Sequence, residues 1–385
     1  MKDSTPKYSR LSPFIATIKH REDLCRTCPE KNTHHIIIDL KNSGLTYEVG
    51  DCLGVYPVND PILLDRTLVA MKVSGDETVE DKKTGEAYPL REYLRIKGNI
   101  TDISRKLFKE IVARQSNAEK KEKLEFLLAK ENGTALKEYL YGKHLWDVLS
   151  YHHEVEFTPQ EICDMLMPLL PRFYSIASSQ GVVNDEVHLT VKLLSYEAHG
   201  HPRQGVCTHY LCNLAPEEEP IVPIFVQPHK GFTVPEASHV PIIMVGPGTG
   251  VAPFRAFMQE RIATGAVGKN WLFFGEWRRE HNFLYQDFWL DLENQGKLRL
   301  DVAFSRDQDE KIYVQHLLAD RGKDVFQWIN EGAHFYVCGD AKYMAKDVDT
   351  ALHDIVRIHG GFSEEEAKAY IKQMRKDKRY LRDVY

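Results

Sequence analysis

Hydrophobic and polar positions follow one period at the start of the chain and another in its middle. Between residues 13 and 57, apolar runs such as PFIATIKH, HHIIIDL and CLGVYP are rich in β-branched and aromatic residues, which predicts strands. From about 60 to 170, apolar residues recur every three or four positions in DPILLDRTLVAMKV, ISRKLFKEIVARQ, AEKKEKLEFLLAKENG and TPQEICDMLMPLLP, which predicts helices. Strand patterns return in RFYSIASS, DEVHLTVKLLSY and EPIVPIFVQPH. The pattern indicates one β domain interrupted by a helical insertion.

After Pro235 the strand and helix patterns alternate. PIIMV, WLFFG, LRLDVAFS and HFYVCG are each followed by a helical pattern, which predicts a parallel sheet with helices on both faces. We therefore predict four segments: the first part of the β domain at 1–58, the insertion at 59–171, the second part of the β domain at 172–234, and an α/β domain at 235–385. Asp60 and Thr158, each followed by proline, are predicted N-caps.

Composition narrows the class of protein. The chain has 385 residues and is 43% hydrophobic, which is enough for two or three packed domains. Its net charge of −6 provides no global field for nucleic acid. Neither a signal-peptide core nor an apolar run of membrane-spanning length occurs, and seven scattered cysteines do not suggest a disulfide framework. We expect a cytoplasmic protein that binds neither nucleic acid nor membrane.

The most informative single stretch is PIIMVGPGTGVAPFR. A buried strand leads into Gly246, Gly248 and Gly250 and then into a helix opened by Pro253. Glycines let the backbone approach a pyrophosphate, whose charge the amides and dipole of a helix N-terminus stabilise. The stretch is neither GxGxxG nor a phosphate-binding loop ending in Lys-Ser/Thr, so by itself it fits a plain tight turn equally well.

Polar residues after the next two strands bear on the choice of nucleotide. Glu276 follows WLFFG, at the position where an acidic residue binds the ribose 2′-hydroxyl of NADH. The third strand is followed by cations, hydroxyls and a ring suited to a phosphomonoester and an adenine, at Ser305, Arg306, Lys311, Tyr313 and Gln315. We favour NADPH as the nucleotide. NADH is the alternative nucleotide, and a solvated polar loop that binds no ligand is the third interpretation.

Two further motifs could contact a flat, phosphorylated cofactor. On the predicted strand RFYSIASS, Arg172 and Tyr174 share one face while Phe173 and Ser175 share the other. Arginine can pair with a pyrophosphate and tyrosine can stack on a ring, although an ordinary edge strand has the same pattern. GVCTHYL, with Thr208 as its predicted N-cap, indicates another helix N-terminus able to accept phosphate.

Together these motifs carry a resemblance. RFYSIASS, GVCTHYL, GPGTGVAPFRAFMQER, SR followed by KIYVQ, and YVCGDAKYMAKDV, in this order, resemble the ferredoxin-NADP reductase module of diflavin reductases. RYLRDVY, WLFFGEW and the opening SPFIATI…HHIIIDLKNSGLTYEVGDCLGVYPVNDP are most similar to the flavoprotein component of NADPH-sulfite reductase. The resemblance covers nearly the whole chain. It implies a β + α/β fold, in which an antiparallel FAD-binding β-barrel with a helical insertion is followed by a doubly wound parallel-sheet NADP-binding domain.

The resemblance also implies roles for individual residues. FAD would be bound by Arg172, Phe173, Tyr174, Ser175, Thr190, Val191, Lys192, Tyr196, Gly205, Val206, Cys207 and Thr208. NADPH would be bound by Gly248, Thr249, Gly250, Ser305, Arg306, Lys311, Ile312, Tyr313, Val314, Gln315 and Asp347. Ser175, Cys338 and Asp383 match the polar trio that surrounds the nicotinamide and assists hydride transfer. The terminal Tyr385 would lie over the flavin as a movable lid, although a ring that caps a terminal strand would satisfy the same sequence.

The implied activity is that of an FAD-dependent NADPH reductase. Diflavin reductases carry an FMN-binding domain before this module, which here begins almost at Met1. We therefore expect a separate electron-accepting protein, which could be a sulfite reductase hemoprotein, a flavodoxin or an iron-sulfur protein. Two alternatives remain: an NAD(P)H-dependent flavin or ferric reductase acting on small diffusible acceptors, and a non-catalytic structural subunit.

The motif CRTC at 25–28 lies outside this interpretation. A CxxC can be a redox pair or half of a zinc site. No second CxxC occurs, and the alternation in HHIIIDL turns His34 and His35 to opposite faces. We expect no metal there, and a loop with two free thiols at Cys25 and Cys28.

Overall fold

The computed structural model describes residues 8–25 and 31–385, so Cys28 of the CRTC motif lies outside the described residues. These residues form two compact units. The first comprises the described part of Met1–Gly54 together with Phe173–Lys192 and Pro216–Tyr385, and the second comprises Val55–Arg172 and Leu193–Ala215. The predicted segment boundaries stay a prediction.

The strands of the described residues are, in chain order, β1 (Phe14–Asp23), β2 (Thr33–Asp39), β3 (Cys52–Val55), β4 (Thr78–Asp81), β5 (Glu86–Pro89), β6 (Gly98–Asn99), β7 (Met167–Pro168), β8 (Arg172–Ser175), β9 (Glu186–Lys192), β10 (Ser195–Ala198), β11 (His201–Gln204), β12 (Pro220–Gln227), β13 (Ile242–Val245), β14 (Asn270–Glu276), β15 (Arg299–Phe304), β16 (His334–Gly339) and β17 (Tyr380–Val384).

The helices are α1 (Pro61–Met71), α2 (Leu90–Ile96), α3 (Arg105–Arg114), α4 (Ala118–Leu128), α5 (Gly133–Leu140), α6 (Leu145–Tyr151), α7 (Pro159–Met165), α8 (Gln180–Val183), α9 (Val206–His209), α10 (Ala252–Ala263), α11 (Arg279–Asn282), α12 (Gln286–Asn294), α13 (Val314–Asp320), α14 (Gly322–Asn330), α15 (Met344–Gly360) and α16 (Glu364–Lys376). In the part of the chain that the structure describes, no helix is long and apolar enough to cross a membrane.

Six strands form an antiparallel sheet in the order β8-β3-β12-β1-β2-β9. Along β2 the buried Ile36 and Ile38 alternate with the less buried Ile37, as expected for a strand with one face in the core. An antiparallel bridge between Ile176, which follows β8, and Leu189 of β9 joins the two edges of the sheet. The sheet therefore closes into a barrel.

Five parallel strands form the second sheet, in the order β15-β14-β13-β16-β17. Ile242 and Met244 of β13 pack into one hydrophobic core, and Ile243 and Val245 pack into another on the opposite face. Helices cover both faces, which is why these strands are apolar throughout. The predicted fold class is confirmed. Because all five strands run the same way, the residues that follow them meet at one edge of the sheet.

The helical segments between residues 59 and 171 form as predicted, with one difference at the end. The Asp60 carboxylate accepts a hydrogen bond from the Ile62 amide at 2.7 Å, and the Thr158 hydroxyl accepts one from the Glu161 amide at 3.3 Å, so both predicted N-caps are confirmed. The pattern TPQEICDMLMPLLP predicts a longer helix than α7, which stops at Met165. Pro168 disfavours helical geometry in the residue before it, and β7 pairs with β6 instead.

A buried ion pair fixes β11 to α6 within the second unit. The Arg203 guanidinium donates to both carboxylate oxygens of Asp147 at 2.8 Å, and their side chains are 1% and 12% exposed. Asp147 also accepts from the His144 amide at the start of α6. Burial and the neighbouring Arg203 charge lower the pKa of His144 to about 4, so this histidine is neutral near pH 7.

We expect Arg203→Leu to lower the free energy of unfolding by about 3 kcal/mol, because it leaves a largely buried carboxylate without its cation. Urea denaturation followed by circular dichroism measures the loss. The matched control is Arg91→Leu in the same unit, whose ion pair with Asp65 has side chains 48% and 62% exposed. The control should cost about 1 kcal/mol or less. Equal losses in the two variants would contradict the expectation.

Candidate functional site

The glycine turn lies at the carboxyl edge of the parallel sheet, between β13 and α10. Gly248 has a φ of +59°, which favours glycine. A Cβ on Gly250 would lie 2.1 Å from the carbonyl oxygen of Cys338, and one on Gly246 would lie 2.6 Å from the carbonyl oxygen of Gly250. The turn therefore excludes side chains and leaves backbone amides at the start of a helix, which is suited to a pyrophosphate.

Beside this turn lies a cavity of about 500 Å³. It brings together seven of the predicted nucleotide-binding residues: Gly248, Ser305, Ile312, Tyr313, Val314, Gln315 and Asp347. Two of them are hydrogen-bonded, with the Gln315 side-chain amide donating to the Asp347 carboxylate at 3.2 Å. The volume is in the range of small-molecule and cofactor sites. The donors and apolar walls of the cavity fit a nicotinamide dinucleotide.

Arg306 and Lys311 stand outside the lining of this cavity. The Arg306 guanidinium lies 3.5 Å from the ring centroid of Trp277, which does line the cavity, and the Arg306 amide donates to the Trp277 carbonyl at 2.8 Å. The stacking and the backbone bond hold Arg306 next to the wall. Lys311 is exposed on the loop before α13. Trp277 was not predicted as a site residue, because an isolated tryptophan after a strand gives no local signal of ligand binding.

The predicted polar trio is brought together, although its members lie far apart in the sequence. The Ser175 hydroxyl donates to the Asp383 carboxylate at 2.7 Å, and the Cys338 thiol contacts the same carboxylate oxygen at 3.9 Å. β16 and β17 set this arrangement, because Cys338 and Asp383 are directly paired in their parallel ladder. Burial raises the pKa of the Cys338 thiol well above its ordinary value, so the thiol stays protonated.

Two further residues belong to this cluster and were missed by the sequence analysis. Cys52 of β3 interacts with the Ser175 hydroxyl, and burial together with the Asp383 charge raises the pKa of Cys52 to about 12. The His229 Nε2 atom lies 3.8 Å from the second oxygen of Asp383. Neither residue sits in a recognisable motif. The Asp383 carboxylate is thus contacted from β8, β16 and the loop after β12.

The terminal Tyr385 is fixed at the edge of this cluster. Its amide donates to the Gly339 carbonyl at 3.1 Å, and its carbonyl accepts from the Ala341 amide at 3.0 Å. Its phenol hydroxyl lies 2.9 Å from the Thr249 hydroxyl of the glycine turn, yet the residue is 65% exposed. An aromatic ring that is anchored at both ends and still exposed fits a flat ligand ring beside it.

The predicted residues of β9 lie in a different environment. The Thr190 hydroxyl is 2.7 Å from the Tyr285 hydroxyl, which is 2.9 Å from His35 Nδ1. Thr190 is 4% exposed and Val191 is fully buried. Lys192 Nζ lies 5.9 Å from the Trp277 ring centroid, beside the cavity of the parallel-sheet domain. Their assignment to FAD stays a prediction.

Besides Arg172, five predicted FAD residues belong to the second unit. Tyr196 of β10 packs on Tyr141, with ring centroids 5.8 Å apart. The prediction that Thr208 is an N-cap is wrong, because α9 begins at Val206 with Gly205 in the N-cap position. The Thr208 hydroxyl instead donates to the Gly205 carbonyl at 3.0 Å and accepts from the Leu194 amide at 3.2 Å. With Val206 and the buried Cys207, these residues form a tight turn into a short helix.

The remaining predicted residues lie on β8 and in the CRTC motif. Arg172 is exposed, and Phe173 is 47% exposed and packs edge-on against Phe225, with ring centroids 5.8 Å apart. Tyr174 is half-buried. Cys25 is buried and accepts from the Asn282 side-chain amide at 3.7 Å. Among residues 8–25 and 31–385, no group of three or more histidine, cysteine or acidic side chains could hold a metal ion.

Comparisons with known proteins match both parts of the chain. A family model described as an FAD binding domain matches residues 6–210, and one described as an oxidoreductase NAD-binding domain matches residues 244–350. The chain is similar to the sulfite reductase [NADPH] flavoprotein alpha-components of Bacillus subtilis and Vibrio cholerae, at 43% and 44% identity over 98% of its length. It is 41% identical to that of Serratia proteamaculans over 100% of its length. It spans only 62%, 60% and 62% of these relatives, respectively.

The position of Tyr385 generates a prediction about nucleotide choice. We expect Tyr385→Ala to lower the ratio of kcat/KM for NADPH to that for NADH by about tenfold, equivalent to about 1.4 kcal/mol. The reason is that NADPH would have its 2′-phosphate contacts to offset the cost of displacing the ring, so that cost limits kcat/KM for NADH more than kcat/KM for NADPH. Steady-state assays with ferricyanide as acceptor measure the ratio. Tyr385→Phe is the control, since it keeps the ring and loses only the bond to Thr249. An unchanged ratio in Tyr385→Ala would show that the ring does not occupy the nicotinamide position.

Proposed function

Because the chain belongs to the FAD-binding domain family and carries an oxidoreductase NAD-binding domain, we propose that it oxidises NADPH through bound FAD and passes the electrons to a separate protein acceptor. The names of its relatives, which are NADPH-dependent sulfite reductase flavoproteins, support NADPH as the donor. They also make a sulfite reductase hemoprotein one candidate acceptor, beside a flavodoxin or an iron-sulfur protein.

The observation that carries the proposal is the cluster of Ser175, Cys338 and Asp383 beside the glycine turn. A nicotinamide ring gains positive charge as it loses a hydride, and a fixed carboxylate nearby stabilises that charge. The Ser175 hydroxyl bonds to Asp383 at 2.7 Å and so holds the carboxylate in one orientation. The buried, protonated Cys338 adds no competing charge. FAD, when bound, supplies the step from two-electron to one-electron transfer.

The FAD-binding residues that we propose lie on β8, on β9 and β10, and in the turn that opens α9. Arg172 would pair with the pyrophosphate, Tyr174 would stack on the ring system, and the backbone of 205–208 would hold phosphate oxygens. Phe173, Ser175, Thr190, Val191, Lys192 and Tyr196 complete the proposed set. Thr190 would have to contact FAD while its hydroxyl is hydrogen-bonded to the Tyr285 hydroxyl.

The NADPH-binding residues that we propose surround the cavity of the parallel-sheet domain. The glycine turn with Gly248, Thr249 and Gly250 would hold the pyrophosphate. Ser305, Arg306, Lys311 and Tyr313 would hold the 2′-phosphate and the adenine, with Ile312, Val314, Gln315 and Asp347 around them. Tyr385 would exclude water from the flavin until the nicotinamide replaces it.

The choice of acceptor is tested by steady-state NADPH oxidation without oxygen. The FAD-loaded chain is assayed with a sulfite reductase hemoprotein, a flavodoxin and a [2Fe-2S] ferredoxin, and in parallel with free FMN and a ferric chelate. We expect kcat/KM for at least one protein acceptor to exceed that for free FMN by about 100-fold or more, because docking holds the acceptor at the flavin. That kcat/KM should fall as salt is raised if charges guide docking.

Two outcomes would contradict the proposal. Rapid turnover with free FMN or the ferric chelate and none with the three proteins would make the chain a reductase of small diffusible acceptors. A colourless protein that binds no FAD and oxidises no NADPH would make it a structural subunit.

The proposed phosphate contacts are tested by substitution. Arg306→Ala combined with Lys311→Ala should raise the KM for NADPH about 100-fold while changing the KM for NADH less than about threefold, because only NADPH carries the 2′-phosphate. The matched control is Lys372→Ala with Lys376→Ala, two exposed cations near the C-terminal end of the chain that do not line the cavity. An equal rise in KM for NADPH and for NADH would show that Arg306 and Lys311 do not contact the 2′-phosphate.

A further inference from the structure

Glu276 occupies the position from which a carboxylate selects NADH. It is the last residue of β14, which neighbours β13 in the parallel sheet. Its Oε1 atom lies 3.5 Å from the position that a Cβ on Gly248 would take, so it faces the glycine turn, and it lines the cavity. In a dinucleotide-binding fold, an acidic side chain at this position accepts hydrogen bonds from the ribose hydroxyls.

This carboxylate is already occupied by a residue from a distant part of the chain. Lys31 Nζ donates to both Oε1 and Oε2 of Glu276, from 245 residues away in the sequence. The Trp277 amide donates to Oε2 at 2.9 Å. The side chains of Lys31 and Glu276 are 9% and 1% exposed, so water provides little alternative solvation for either charge. Glu276 therefore has little capacity left to accept from a ribose.

The ion pair between Lys31 and Glu276 affects phosphate binding because it lies among the cations around Trp277. Arg306 lies 3.5 Å, Lys31 4.9 Å and Lys192 5.9 Å from the Trp277 ring centroid. One carboxylate among three cations leaves the surroundings of Trp277 positive, while the other acidic lining residues, Asp340 and Asp347, come from the segment after β16. If Lys31 were neutral, the buried negative charge of Glu276 would repel a phosphomonoester bound at Arg306, and the repulsion would be weakly screened because Glu276 is buried.

We propose that Lys31 is a specificity-determining residue, which masks the Glu276 carboxylate so that the cavity accepts the 2′-phosphate of NADPH and does not select the free ribose of NADH. This inference rests on the proposed function, because it assumes that the cavity holds the hydride donor. Lys31 acts through Glu276. The prediction is therefore that the effect of losing Lys31 disappears when Glu276 is also neutral.

The test is a set of binding measurements on the FAD-loaded 385-residue chain. Dissociation constants of NADP⁺ and NAD⁺ are measured by titration calorimetry for the wild type, Lys31→Met, Glu276→Gln and the double variant. In Lys31→Met, the ratio of the NAD⁺ constant to the NADP⁺ constant should fall at least about tenfold, because the exposed carboxylate repels the phosphate and accepts from the ribose. In the double variant, the ratio should return to within about threefold of the wild type.

Two results would overturn the inference. The first is an unchanged ratio of the NAD⁺ constant to the NADP⁺ constant in Lys31→Met. The second is a ratio in the double variant as low as in Lys31→Met, since Lys31 would then contact the nucleotide itself. Glu276→Gln alone should keep the preference for NADP⁺, and a selective loss of NAD⁺ binding there would show that Glu276 is already in contact with the ribose.

Folding and the proposed function are checked separately. Melting temperature and FAD content are measured for every variant. If Lys31→Met does not fold with its unpaired buried carboxylate, the double variant still decides, because it keeps the wild-type net charge beside Trp277 and should keep the wild-type ratio to within about threefold. A ratio at least about tenfold lower in the double variant would show that Lys31 contacts the nucleotide itself and would overturn the inference. Equal affinity of the wild-type protein for both nucleotides would instead contradict the proposed use of NADPH, whatever the variants show.

Discussion

The hydrogen-bond ladder between β16 and β17 holds the last residues of the chain against the carboxyl edge of the parallel sheet. It pairs Cys338 with Asp383 and continues on both sides, from the Phe335 amide donating to the Arg379 carbonyl to the Tyr385 amide donating to the Gly339 carbonyl. A slip by one residue would turn Asp383 to the opposite face of the sheet. The contact with Ser175 and the position of the terminal ring both depend on this register.

Near this ladder, two neutral thiols surround one carboxylate, whereas the cations lie on the other side of the glycine turn. Cys52 and Cys338 stay protonated because burial raises their pKa values, which leaves the Asp383 carboxylate as the acidic group contacted by Ser175 and His229. On the other side of the glycine turn, the positive surroundings of Trp277 suit a phosphate. The hydroxyl contact between Thr249 and Tyr385 connects these two regions, so movement of the ring also changes a side chain of the turn.

Much of the fold was predictable because its strands and helices follow from patterns among residues close together in the sequence. Alternation and helical spacing predicted the order of β domain, helical insertion and parallel sheet, and the comparisons confirm the resemblance and an oxidoreductase with domains for FAD and a nicotinamide nucleotide. The glycine turn and the polar run after β15 were found from residues close together in the sequence. Cys52, His229 and Lys31 were missed because they reach the site only through tertiary contacts. Thr208 was misassigned because a glycine can itself take the N-cap position, so the hydroxyl three residues later was not needed there.

Hydride transfer at this site is tested most directly by the reduction of bound FAD by nucleotide in a single turnover without oxygen. The FAD-loaded protein is mixed with NADPH or with NADH, and the flavin absorbance is followed in time. We expect rapid bleaching by NADPH and much slower bleaching by NADH, because the cations around Trp277 would favour the 2′-phosphate. Bound FAD that neither nucleotide reduces would contradict it, since the cluster of Ser175, Cys338 and Asp383 would then not be a site of hydride transfer.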